Sequence, residues 1–574
     1  MKMTLSKSKN AEQVYITKSF RDENGKSTSR IFMKLGTMAE LLPQFNNDRD
    51  EVLKWAREQA LFYTEEEANG SLKIPIWLRE GKQIPSGEQV IFSGGSLFLT
   101  PLFYELGLGK VCDKIAAKHS FKFDLASVLC GLVCARILSP SSKLSSFEYL
   151  QSMLDQPNFS VHDIYRALDV LDESSDLIQA YLYKNGKDKR KSSVLYYDCT
   201  NFFFEVETED SFRRYGKSKE HRPNPIVQMG LFIDEEGLPL AFTVFPGNES
   251  EQPTLIPLEK RIMKDFALSK FIICTDAGLA SFANRRFNDH PDRSFIVTQS
   301  LKQLKGYLKD WALDPRGWSL GNDKKLYDLS MIDTDEYEFK DSVFYKERWI
   351  NDNGFEQRII VSYSPKRKNY QRNIRSRQVE RAMKIIRRGA SSETKNPNNP
   401  KRFIKEEQRT ADGEVADVKV CTLTTEKIEE EMRYDGFSAV CTTLEDSAER
   451  IVRINSRRWE IEESFRIMKS EFKSRPVYHR KEVRIRAHFL TCFLALMVFR
   501  TLEKKLEEKY TVSEMMSTLK GFNFKKTRTG DGYEPGYMRT DLTDALHDIF
   551  GFRTDWEHIP GKNMKKIIRD PKRQ

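Results

Sequence analysis

Unbroken apolar runs recur in the middle of the chain, and two of them stop on an acid. Val-Leu-Tyr-Tyr leads into Asp198 and Phe-Ile-Ile-Cys-Thr leads into Asp276. Runs of β-branched and aromatic residues without alternation predict strands buried on both faces, with helices packed over them. Each acid is then expected at the carboxyl end of its strand, where open α/β sheets carry their sites. The surrounding pattern predicts strands over 194–205, 226–234 and 238–245, with a turn at Glu236-Gly237. A helix over 253–266, a strand over 270–275, a helix over 279–288 and a strand over 295–299 follow. Over 444–472 the period becomes that of one helix. Ile454, Ile461, Phe465, Met468 and Phe472 recur at steps of three, four or seven and form an apolar stripe. Asn455, Arg458, Glu462 and Lys469 keep the same rhythm one position further on, a polar stripe at the edge of the buried face.

The flanks differ in texture. Residues 1–110 mix extended runs (14–19, 29–35), an Asn24-Gly25 hairpin signal and a charged helix over 48–66, an α+β region. Residues 111–190 are helix-rich, with helices over 125–138 and 161–171. After residue 300 the strand–helix alternation stops and Glu462 arrives only much later. The stretch 301–440 therefore interrupts a core made of 191–300 and 441–504. Its segments 343–349, 358–363 and 418–424 are β-like. Residues 505–574 form a helical and basic tail. The whole predicts a multidomain α/β protein with a β-rich insertion.

Charge narrows the chemistry. The 574 residues carry 94 Lys plus Arg against 84 Asp plus Glu, a net charge of +10. The cations are concentrated: Lys366, Arg367, Lys368, Arg372, Arg375, Arg377, Arg381, Lys384, Arg387 and Arg388 crowd one stretch of the insertion. A run this one-sided suits phosphates better than a solvated face does. The eight cysteines include no Cys-x2-Cys pair, and Cys130 with Cys134 sits in an apolar helix, so they are expected as core residues in a reducing cytoplasm. The longest apolar stretch, 487–499, falls short of the ~20 residues that span a bilayer, so no membrane association is expected. Carboxylates ending buried strands are costly unless paired or metal-bound. Asp198, Asp276 and Glu462 are hard oxygen donors of the kind that hold Mg²⁺ and leave coordination positions for water and phosphate. Phosphoryl transfer is the expected chemistry.

The residues also resemble a known family. Arg458-Trp459-x-Ile461-Glu462-x-x-Phe465-x-x-x-Lys469 is similar to the Tyr-x2-Arg-x3-Glu-x6-Lys signature of cut-and-paste bacterial insertion-sequence transposases of the DDE class. Asn455 stands where that family's tyrosine sits. The resemblance continues in Tyr197-Asp198-Cys199-Thr200, Thr275-Asp276-Ala277-Gly278, Tyr434-Asp435-Gly436-Phe437, Arg475-Pro476-Val477-Tyr478-His479 and Arg486-Ala487-His488. It implies a ribonuclease H-like catalytic core, and the predicted order of three strands followed by alternating helix and strand agrees. It implies Asp198, Asp276 and Glu462 as catalytic ligands of Mg²⁺ or Mn²⁺, as two ions, with Asp198 shared. Arg458 and Lys469 are expected to hold DNA phosphates, with Asn455, Arg453 and Arg457 as further DNA contacts. The implied partners are double-stranded DNA, as terminal inverted repeats bound through residues within 1–190 and as target, and a second copy of the chain in a synaptic homodimer. The expected place is the bacterial cytoplasm, on the nucleoid when bound to DNA. Two alternatives remain open: a metal-dependent nuclease that never joins ends, and an inactive DNA-binding relative. Among Trp311, Trp318 and Trp349, one is a candidate for stacking on a flipped base, against core packing for each.

Overall fold

The computed structural model of the chain describes residues 1–7, 11–21, 27–68, 83–186, 193–321, 325–332, 339–352, 354–388, 398–408, 419–527 and 532–573. The chain divides into two compact units, residues 1–88 and 89–574. In the first, strands β1 (Lys2–Lys7), β2 (Glu12–Arg21) and β3 (Ser27–Thr37) form an antiparallel sheet in that order. The Asn24-Gly25 turn lies outside the described residues. A helix, Arg49–Ala68, lays Val52, Ala56, Ala60 and Tyr63 along one face, and Val14 and Ile16 of β2 fill the opposite side of that core.

In the second unit, β4 (Ile91–Ser93) opens the chain path and later pairs with a C-terminal strand. A ten-stranded mixed sheet dominates. Its strands are β5 (Val194–Phe203), β6 (Ile226–Asp234), β7 (Pro239–Pro246), β8 (Phe271–Thr275), β9 (Arg293–Gln299), β10 (Trp318–Leu320), β11 (Leu326–Tyr327), β12 (Phe344–Asp352) and β13 (Phe355–Tyr363), completed after a separate antiparallel pair, β14 (Ile404–Gln408) and β15 (Lys419–Leu423), by β16 (Phe437–Thr442). The spatial order is β11-β10-β12-β13-β16-β9-β8-β5-β6-β7. β5 runs parallel to β8, and β8 parallel to β9, while the remaining pairings of the sheet are antiparallel. The strands of the 301–440 segment thus extend the same sheet, because β16 pairs with both β13 and β9. The last strands, β17 (Asn523–Lys526), β18 (Gly532–Pro535) and β19 (Ile559–Pro560), join β4 in a small sheet.

Parity along β5 decides which layer each side chain meets. Val194, Tyr196 and Phe202 enter the large core that includes the helix Glu482–Lys505. Leu195, Tyr197 and Cys199 enter a second core with Leu255, Leu258, Ile262 and Phe266 on the opposite face. Both faces are buried, which is why the run shows no polar alternation. The Glu482–Lys505 helix is the hub of the first layer, packed against helices Ser96–Glu105, Leu125–Leu138 and Val161–Glu173 and against β7.

Three expectations need correction. β5 runs to Phe203, close to the expected 205, so Asp198 lies within the strand and not at its carboxyl end, β6 pairing with it from Leu195↔Asp234 to Phe203↔Ile226. The single helix expected over 444–472 is two, Ala448–Ser456 and Trp459–Arg466, the second running on into a wider turn at Ile467–Glu471. At the break the Ser456 hydroxyl donates to the Arg453 carbonyl at 2.7 Å, a local bond that competes with helix continuation. Finally, the apolar stretch thought too short to span a bilayer belongs to a helix of 24 residues that is long and apolar enough by length and composition; 89% of its apolar window is buried inside the protein. Its first turns carry Arg484 and Arg486, which truncate the apolar run seen in the sequence.

Candidate active site

Asp198 and Asp276 share the parity of the residues facing the Glu482–Lys505 layer: Tyr196 and Cys274 belong to that core, Tyr197 and Ile273 to the other. The parallel register Val194↔Ile272, Leu195↔Ile273, Tyr196↔Cys274, carried two residues further, sets Asp198 level with Asp276. β8 stops at Thr275, so the edge of β5 beside Asp198 is left open where Asp276 turns into a short helical turn. Asp276 Oδ1 accepts from the Leu279 N–H at 3.0 Å, and Asp198 Oδ1 accepts from the Cys199 N–H at 2.8 Å. Burial pushes the Asp198 carboxyl up to about 6; the Lys219 ammonium opposes the shift, the Asp276 carboxylate adds to it, and the Cys199 N–H and Arg458 oppose it. The neighbouring Asp276 carboxylate thus adds to the cost of ionising Asp198, the condition a bound cation relieves.

The two helices carrying the polar stripe close over this edge. The Tyr196 hydroxyl donates to the Ile454 carbonyl at 3.0 Å, tying the first helix to β5. Asn455 Oδ1 accepts from Thr298 Oγ1 at 3.2 Å and from Cys274 Sγ at 3.7 Å, bridging β9 and β8. Arg458 donates to the same Thr298 hydroxyl at 3.2 Å, and its charge acts on Asp198. Asn455, in the place of a tyrosine, therefore serves as a bracket between strands. Ile461 and Phe465 bury the second helix on the Asp198 face of the sheet, and that helix packs on β5 and β6. Lys469 reaches the same field: burial and neighbouring Lys219 lower its ammonium to about 8, while Asp198 pulls it up.

Asp198, Asp276, Asn455, Arg458 and Lys469 thus gather in one place. Glu462 is one turn from Arg458 on the exposed side of the helix and makes no hydrogen bond or ion pair among the described residues. Arg453 is exposed. Arg457 is committed to Glu460, with Nη2 at 2.6 Å from Oε1. Sequence reasoning missed Lys219, the strongest charge on Asp198. It lies in the loop between β5 and β6 and donates to the Cys199 carbonyl; the only signal was the charged string Lys217-Ser218-Lys219-Glu220-His221-Arg222.

The insertion supplies a second feature. Most of the basic run lies on one long helix, Pro365–Arg387. Arg375 does not face outward: it donates to Asp435 at 2.6 Å and with a second, shorter bond. Gln371 accepts from the Gly436 N–H at 2.8 Å, and Gly436 sits at φ +85°, a conformation glycine takes freely. The Tyr434-Asp435-Gly436-Phe437 motif therefore clamps the basic helix to the sheet. Arg367, Tyr370, Ile374, Arg377, Arg381, Lys384 and Arg388 follow at alternating steps of three and four and are all exposed, a mainly cationic stripe along one face. Of the tryptophans, Trp318 is fully buried, Trp311 lies beneath Lys346 and Arg348, and Trp349 is exposed.

Comparison with known proteins places this site in context. Residues 191–498 match the family model described as the transposase DDE domain. Among solved structures, the chain is similar to the piggyBac transposase in a synaptic complex with hairpin DNA, at 10% identity and a TM-score of 0.33, over 74% of this chain and 79% of that one. The Mos1 transposase in a paired-end complex with the left transposon end matches at 11% identity and a TM-score of 0.13, over 40% of this chain and 63% of that one. No curated protein matches.

Proposed function

The chain belongs to the transposase DDE-domain family, and from that premise we propose that it binds the ends of its own insertion sequence, cleaves them and joins the freed 3′-hydroxyls to target DNA. The observation that carries the reading is the level pairing of Asp198 with Asp276, with Arg458 at the start of the helix above acting on Asp198; Glu462, one turn further along that helix, is assigned to the site by its place in the sequence motif. The core order β9-β8-β5-β6-β7, three antiparallel strands followed by two parallel ones, supports a ribonuclease H-like assignment.

The residues fit a divalent cation. Asp198 and Asp276 are hard donors, each with one oxygen already held by a backbone N–H and the other without a hydrogen bond among the described residues. When bound, two Mg²⁺ or Mn²⁺ ions held by Asp198, Asp276 and Glu462 would supply activation of the attacking oxygen and stabilisation of the leaving one. Arg458 and Lys469 orient the scissile phosphate and offset its charge as it passes in line. Thr298 and Asn455 hold Arg458 in place through the hydroxyl they share. Water attacks first, at the element end; the released 3′-hydroxyl then attacks target DNA. The exposed stripe of the basic helix, about 35 Å long at 1.5 Å per residue, is assigned to the DNA backbone away from the reacting phosphate. Two copies of the chain hold two ends in the synaptic complex, in the bacterial cytoplasm.

The test is a labelled duplex carrying the DNA that flanks the gene, incubated with Mg²⁺ or Mn²⁺ and a target plasmid. Cleavage at the element end and joined product are expected. Cleavage without joining, also from precut ends, would replace the transposase with a nuclease. A pH effect accompanies the cation site. The Asp198 carboxyl is raised to about 6, so protons compete with the cation below that value and not above it. Mn²⁺ affinity, followed by the resonance of free Mn²⁺, is expected to fall as pH drops through about 6 and to flatten above it; an affinity independent of pH across that range would remove Asp198 from the ligand set.

A further inference from the structure

The cations nearest Asp198 are not all free. The loop between β5 and β6 is stitched to β5 by buried Asn201, which donates to the Lys217 carbonyl at 3.1 Å and accepts from the Lys219 N–H at 3.3 Å. Ser218 Oγ accepts from the N–H groups of Glu220 and Arg222, both at 3.3 Å, and closes the turn. Glu220 is thereby aimed at the segment after the second helix. One of its carboxylate oxygens lies 3.4 Å from Lys469 Nζ, and the other is in contact with Arg475. That segment is anchored from behind: Arg136 donates to the Phe472 carbonyl at 3.2 Å and the Lys473 carbonyl at 3.4 Å, and His488 Nε2 lies 3.0 Å from the Ser474 carbonyl. The Arg475 and Arg222 guanidiniums stand over the Phe203 ring, at 5.1 and 4.4 Å from its centre, and the Lys469 ammonium over Phe202 at 5.4 Å.

We propose that Arg475 joins Lys469 in holding a DNA phosphate beside Asp198, and that the Glu220 carboxylate occupies this phosphate position until DNA displaces it. The proposal rests on the DNA reading above. Its basis is the match of form and charge. A carboxylate bridging an ammonium and a guanidinium through separate oxygens uses the same donors as a phosphodiester. Lys219, Arg222, Lys469 and Arg475 converge on this corner, while Glu220 contacts only two of them and Glu251 pairs with Lys219 at 3.4 Å. Asp198 and Asp276 balance the remaining charge of this corner, so the cations freed when Glu220 leaves have, among the described residues, no other carboxylate than Glu251 and the two aspartates to face. All three side chains of the bridge remain partly open to solvent, at 16% for Lys469, 24% for Glu220 and 26% for Arg475, so an incoming phosphate has access.

The experiment measures the affinity of the full chain for a short blunt duplex carrying the element end, by fluorescence anisotropy in EDTA, so that cleavage plays no part. Glu220→Gln keeps the shape and removes the charge; Glu557→Gln, an exposed acid elsewhere, makes the same change in net charge. Glu220→Gln is expected to tighten binding roughly fivefold over the Glu557→Gln control. Arg475→Ala is expected to weaken it roughly tenfold, with a shallower salt dependence. In the Arg475→Ala background the Glu220→Gln gain should shrink. Glu220→Asp, which keeps the charge but shortens the reach, should fall between parent and Glu220→Gln, and it carries the test if the glutamine variant does not fold. A Glu220→Gln protein that binds no tighter than the control, or a gain undiminished without Arg475, overturns the proposal. If the parent cleaves its end while the variants show that null pattern, this inference alone falls; a parent that binds no DNA takes the functional reading with it.

Discussion

Asp198→Asn is expected to leave a folded, DNA-binding protein whose cleavage rate has dropped by on the order of 10³-fold, the loss of ~4 kcal/mol of transition-state stabilisation from a cation ligand. The substitution is isosteric, so the Cys199 N–H keeps its acceptor and the helices above the strand have no cause to move. Stability supplies an independent check on the environment. Burial raises the Asp198 carboxyl to about 6 in the fold, above its ordinary value near 4. Its protonated form therefore favours folding, and that contribution is present at low pH and lost as pH rises through about 6. Replacing it with a neutral amide should raise the metal-free melting temperature at neutral pH, and the gain should vanish at pH values below the ordinary carboxylate range. A rise in stability paired with loss of cleavage distinguishes a functional carboxylate from a structural one; full activity in the variant would remove Asp198 from the site. Asp276→Asn should match the loss of rate. Glu462→Gln is the most discriminating of the three, because this acid is exposed: no packing argument predicts a defect, so a comparable loss would come from chemistry alone.

Arg500→Leu is expected to have the largest effect on stability, a loss of about 3–5 kcal/mol. Arg500 is buried on the Glu482–Lys505 helix and donates to Glu503 Oε2 at 2.5 Å, to Ser464 Oγ at 3.2 Å and to the Glu460 carbonyl at 3.3 Å. It ties the helix bearing Glu462 to the hub of the large core. Removing it strands the Glu503 carboxylate in a buried setting, where an unpaired charge costs more than the lost bonds. Thermal melting should fall by roughly 4 °C, and Arg500→Leu with Glu503→Leu should recover most of the loss. A single variant as stable as the parent would mean that Glu503 finds water or another partner.

Much of the site was legible because it is local. An apolar run ending on an acid reports its strand directly, and both Asp198 and Asp276 follow from that pattern; the 3.6 period likewise separates the buried Ile461 and Phe465 from Arg458 and Glu462. What was misjudged depends on pairing between distant segments. The run of β5 past Asp198 was legible, but that Asp198 lies at an open edge within the strand depends on β8 stopping at Thr275 while β6 pairs with β5 as far as Phe203. The break at Arg457 and Arg458 lies within a stripe whose helical period continues through it. Arg375 has the same composition as its basic neighbours, yet it turns inward because Asp435 waits there.

By itself the sequence determined which residues are acids on buried strands, which helix face is apolar, and where cations are concentrated, since each depends on periods of two or 3.6 residues that are written along the chain. Only the tertiary structure decided that Asp198 stands level with Asp276, that the strands of the insertion extend the main sheet, and that Glu220 meets Lys469 across 249 residues of chain. Those are contacts between segments whose local patterns are satisfied in many arrangements, and it is the burial of shared surface and the pairing of backbone groups that select one.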